Sequence, residues 1–137
     1  MEDVDQKAKA ARMRAGRARI GERRPLTGVT ATLRTTRPAR FGRQKVNDRL
    51  VTVENLSVTG AGLVVPADKD DRPSESVELC LAGAWGQGHT VRGLPTPTPG
   101  LVYWGIEFHK VQGDFLAAIN MLLEAEDFVA QGIAMRD

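Results

Sequence analysis

Leu50-Val51-Thr52-Val53-Glu54-Asn55-Leu56-Ser57-Val58-Thr59-Gly60-Ala61-Gly62-Leu63-Val64-Val65 is the stretch that decides the fold. It opens on an alternating apolar run, Leu50 to Val53, and closes on another, Ala61 to Val65, each of strand length. Between them, Asn55, Ser57 and Gly60 are the residue types that bend a chain tightly. Asn55 offers an amide and Ser57 a hydroxyl, while Gly60 permits positive φ or close approach without a Cβ clash. The reading is two strands joined by a polar turn, with these three groups at one barrel rim.

Working outward, strands are expected at 27–35, 50–55, 61–66, 76–82, 89–94 and 101–109. The first places Val29, Ala31 and Leu33 on one face. Residues 36–49 form a basic connector with Pro38 and Gly42, read as a loop or ragged hairpin. Asp68 to Ser74 is a loop by composition, and Gly83 to Gly88 reads as a hairpin turn. Pro95-Thr96-Pro97-Thr98-Pro99-Gly100 cannot sit inside a sheet, because prolines remove ladder donors. From Gly113 to Ala130, Phe115, Ile119, Leu122 and Leu123 recur at helical spacing, which predicts an amphipathic helix. Six short strands followed by one helix imply a mainly β protein: a small six-stranded antiparallel β-barrel closed by a C-terminal helix.

The 137 residues suffice for one core without disulfide or metal. Cys80 is the single cysteine, read as a buried strand residue. His89 and His109 are isolated in sequence, away from metal-ligand spacing, and Trp104 is expected half-buried on the barrel. No signal peptide or membrane span is apparent, so a cytoplasmic location without membrane insertion is expected. Charge is polarised: residues 1–49 carry 14 basic and 5 acidic residues, a net +9, and residues 50–137 carry 5 and 12, a net −7. The N-terminal third is therefore suited to something anionic. Residues 3–18 are good helix formers with almost no apolar face, so residues 1–24 are expected to be a mobile basic arm ahead of a 25–137 barrel.

Three motifs carry a resemblance. Arg19 and Arg23 form an arginine pair just ahead of the first strand. Asn55-x-Ser57-x-x-Gly60 joins two strands, and Tyr103-Trp104-Gly105-Ile106-Glu107-Phe108 precedes the closing helix. Together they resemble the PilZ domain over about residues 19–130. The resemblance implies a bacterial receptor for the second messenger cyclic di-GMP, without catalysis or cofactor. It also implies a ligand site of Arg19, Arg23, Asn55, Ser57 and Gly60, with Arg24 as an adjacent candidate. Arginine suits this ligand chemically: it pairs bidentately with phosphate and with guanine O6/N7, and it stacks on purines. The family pattern more often has Asp where Asn55 stands, so an acceptor is kept and its charge is lost.

The resemblance leaves the output open, since motility, polysaccharide synthesis and other programmes share the module through different protein effectors. A degenerate PilZ-like adaptor working through protein contacts is a second reading. A small basic nucleic-acid-binding barrel is a third, disfavoured because Phe41 is the only aromatic residue in the basic third.

Overall fold

The computed structural model describes residues 23–69, 71 and 76–135, with side chains as far as residue 129. Residues 1–22 of the expected arm, including its helix at 3–18 and Arg19, lie outside the described residues.

Alternation builds the barrel. Ala31, Leu33 and Thr35 of β2 (Thr30–Pro38) point inward, as do Val51 and Val53 of β3 (Gln44–Leu56). Ala61, Leu63 and Val65 do so in β4 (Gly60–Pro66), and Val77, Leu79 and Leu81 in β5 (Ser76–Leu81). After β6 (Ala84–Pro95), Trp104, Ile106 and Phe108 of β7 (Leu101–His109) complete the lining. All pairings are antiparallel, in the order β3-β2-β5-β6-β7-β4, and a β3–β4 pairing closes the ring. The result is a closed six-stranded barrel, with β1 (Arg24–Pro25) added outside against Leu56 and Asn55.

Helix α1 (Gly113–Met135) covers one end of the barrel. Its Phe115, Ala118 and Ile119 are buried, and the Phe115 ring meets Phe108 edge to face at 5.0 Å. Gly86 makes room for that ring: a Cβ there would stand 2.3–2.4 Å from Phe115. The far part of the helix reaches back to the start of the described chain. Asp127 pairs with Arg24, and Glu126 accepts from the Thr27 amide at 3.3 Å and hydroxyl at 2.9 Å.

Five local expectations change. Residues 36–49 are not a loop: β2 and β3 pair continuously out to Pro38 and Gln44, and a tight turn at Arg40–Gly42 caps them. Ion pairs support the base of this arm as the core runs out, Arg34 with Asp48 and both Arg37 and Arg49 with Asp71. The turn between β5 and β6 is confined to Ala82 and Gly83, so Trp85 to Gly88 belong to β6. Trp104 is buried at 5% exposure rather than half-buried, with the Arg49 guanidinium 5.1 Å above its ring, and Cys80 is half-buried rather than buried. His89 and His109, 20 residues apart, are in contact across β6 and β7, with ring centroids 4.7 Å apart.

Candidate functional site

Two β-bulges interrupt the barrel's alternation, and both aim a polar side chain outward. In β3 the pairing with β4 slips between Val53 and Asn55, leaving Glu54 as the extra residue. Val53 faces the core, so without the slip Asn55 would face it too. In β6 the slip against β7 falls between Thr90 and Arg92, with Val91 extra. Thr90 is buried, and the bulge turns Arg92 to the outside.

The two bulges share a level. Asn55 pairs with Gly62, Gly62 with Gly105 and Gly105 with Arg92, one row across four neighbouring strands. At ordinary strand spacing that row spans about 14 Å. Its ends are an amide and a guanidinium, and its middle is two glycines without side chains.

Other side chains lie flat over this floor. Asn55 Nδ2 donates to the Tyr103 hydroxyl at 3.1 Å directly above Gly62, where a Cβ would stand 2.0 Å from the Tyr103 oxygen. Arg23 crosses the β4–β7 seam, its Nη2 donating to the Ile106 carbonyl at 3.1 Å. Its guanidinium comes within 3.1 Å of the Cβ position of Gly60 and within 3.4 Å of that of Gly105. Arg23, Asn55, Arg92 and Tyr103 thus line one open groove of about 990 Å³, walled by Pro95–Thr98 and edged by the Glu54 carboxylate. Arg23 also borders a second hollow of about 420 Å³ beside Thr59, Glu107 and Val111. Asn55 Oδ1 is buried against Gly62 and accepts no hydrogen bond within the described chain.

The sequence-derived candidates therefore divide. Arg23 and Asn55, distant in sequence, both line the groove, and Gly60 lies beneath the Arg23 guanidinium outside its lining. Gly60 is also a packing necessity, because a Cβ there would meet the Ile106 carbonyl at 2.3 Å. Ser57 is 1% exposed and works inside the β3–β4 turn. Its Oγ accepts from the Thr59 and Gly60 amides, both at 3.1 Å, and its own amide donates to the Gly60 carbonyl at 2.9 Å. Arg24 faces the helix, held by Asp127. Arg92 and Tyr103 were not among the candidates. Tyr103 stood in a quoted motif, whereas Arg92 reaches the site only through a bulge that no residue pattern announces.

No family model, curated protein or solved structure matches this chain.

Proposed function

We propose that the groove lined by Arg23, Asn55, Arg92 and Tyr103 binds cyclic di-GMP and that the protein is a non-catalytic receptor in second-messenger signalling, working in the cytoplasm through a protein effector. The reading rests on the motif resemblance and on one structural observation. Paired bulges bring Asn55 and Arg92 to the two ends of a glycine-floored row that Arg23 crosses. Two guanidinium groups suit a ligand with two phosphodiesters and two guanines, by bidentate pairing or purine stacking. The Asn55 acceptor, unused among the described residues, suits a guanine N–H donor once the side chain turns away from Gly62. The glycines let Asn55, Tyr103 and Arg23 lie close on the backbone beside the groove, and Tyr103 borders it.

Isothermal titration of the full chain with cyclic di-GMP tests this. Heat saturating at micromolar ligand is expected. Its absence up to millimolar ligand overturns the proposal and leaves the adaptor reading, in which the groove's polar groups serve one another and protein contacts carry the function.

A further inference from the structure

The arm formed by β2 and β3 carries its cations in two populations. At its base, every arginine has a carboxylate partner: Arg34 binds Asp48 through two bonds of 2.8 and 3.0 Å, and Arg37 and Arg49 share Asp71. At its tip, Arg40, Arg43 and Lys45 are exposed and have no carboxylate partner among the described residues. No acidic residue occurs from 36 to 47. The basal cations pair across and beside the arm, and among the described residues the tip cations do not.

Phe41 stands at the apex, 96% exposed, with backbone at φ 61 and ψ 38. Gly42 follows at φ 69, and the Arg43 amide donates to the Arg40 carbonyl at 3.3 Å, closing a two-residue turn of the mirror-image kind. Asn or Gly fills the first position of such a turn without strain, whereas a phenylalanine there is strained. Its ring buries nothing in return. Pro38, Ala39 and Val46, on the arm below it, are also exposed and apolar. The tip thus combines an apolar apex with a collar of cations unpaired among the described residues, on a two-stranded stalk.

We infer that this tip docks the protein on an anionic lipid surface, with Phe41 seated at the boundary of headgroups and acyl chains and Arg40, Arg43 and Lys45 on the headgroup phosphates. Aromatic apex and basic collar are what such an interface rewards, since the ring leaves water while the guanidinium groups stay among phosphates. A lone aromatic residue builds no stacking ladder for single-stranded nucleic acid. Of the amide side chains that read base edges, the exposed tip holds only Gln44. No helix among the described residues is long and apolar enough to cross a membrane, and the arm needs none, because it rests on one leaflet. The inference stands independently of the groove and its ligand.

Co-sedimentation of the full chain with phosphatidylcholine vesicles, with and without phosphatidylglycerol, tests it in the absence of nucleotide. Binding to the anionic vesicles alone is expected, weakening as salt rises. Phe41→Asn, which accepts the left-handed backbone and so keeps the turn, should lower partitioning roughly tenfold. Arg43→Gln should lower it about fivefold at an unchanged melting temperature. Failure to sediment, or equal sedimentation of the wild type and Phe41→Asn, overturns the inference. So does a gel shift of duplex DNA lost in Arg43→Gln while vesicles are ignored, which would assign the tip to nucleic acid.

Discussion

Asn55 and Arg92 stand at opposite ends of a single cross-strand row, each turned outward by a bulge whose extra residue immediately precedes it. A strand of strict alternation would bury both. The outward placement costs two ladder irregularities, and the polar groove exists because of them.

Arg92→Ala and Arg23→Ala should each weaken cyclic di-GMP binding by about 1.5–3 kcal/mol, the worth of charge-assisted hydrogen bonds. Arg92→Ala is the cleaner variant, because Arg23 also bonds the Ile106 carbonyl. Titration calorimetry decides. Unchanged affinity in Arg92→Ala would remove the far end of the row from the site.

Gly62→Ala should abolish binding while leaving a folded protein. The new methyl meets the Tyr103 oxygen at 2.0 Å and the Asn55 amide atoms at 2.6 and 2.7 Å, so both side chains must leave the floor. These are side-chain ends, and the loss of stability should stay within about 1–3 kcal/mol. A thermal melt together with a titration separates displacement from unfolding.

Ser57→Ala should act on stability. The Thr59 and Gly60 amides would lose their acceptor in a buried turn, at about 1–3 kcal/mol. Chemical denaturation should show this, and at low temperature the folded fraction should bind nucleotide as the wild type does. A loss of affinity at full stability would instead place the hydroxyl against ligand.

Much of this architecture was legible in the residues. Ala31 and Leu33, Val51 and Val53, and Leu63 and Val65 alternate against one core, and Phe115, Ile119, Leu122 and Leu123 mark the helix face. What alternation cannot reveal is a slip in its own count, so Glu54 and Val91 gave no sign and Arg92 went unnoticed. The arm was misread as a loop for a related reason. Beyond Thr35 and Asn47 there is no core to alternate against; Arg–Asp contacts support the base, and backbone pairing carries the strands on to Pro38 and Gln44. Trp85 to Gly88 read as a turn because glycine marks turns, whereas Gly86 is there to admit the Phe115 ring. The histidine contact depends on register between two strands, which spacing in sequence does not encode.

Gly86→Ala should loosen the helix. Its methyl would stand 2.3–2.4 Å from the Phe115 ring, which is also packed on Phe108, so the ring has little freedom to yield. A cost of about 1–3 kcal/mol is expected. Hydrogen exchange should rise over the first turns of α1 more than in β3 and β4. Uniform change across the barrel would contradict a local undocking.

Asp48 should titrate below the ordinary carboxylate range, because Arg34 hydrogen-bonds its ionised form. A depressed folded-state value means that the pair's support is present above the unfolded carboxylate value and is lost as pH falls through the folded one. Carbon-detected NMR titration should show the Asp48 transition moving up in Arg34→Ala. An unmoved transition would mean that the pair does not form in solution.

Closure of the ring has a kinetic consequence. The hairpins β2–β3, β3–β4, β5–β6 and β6–β7 join neighbours in sequence, but β2–β5 and β4–β7 join distant segments, as in Gly60 with Glu107 and Thr32 with Cys80. Local pairings form early, and those that close long loops come late. The row from Asn55 to Arg92 crosses the β4–β7 seam, so its halves lie on separate hairpins until that last registration. Nucleotide binding would then report completion of folding: a chain whose hairpins have formed but whose ring is still open would hold every site residue and no site.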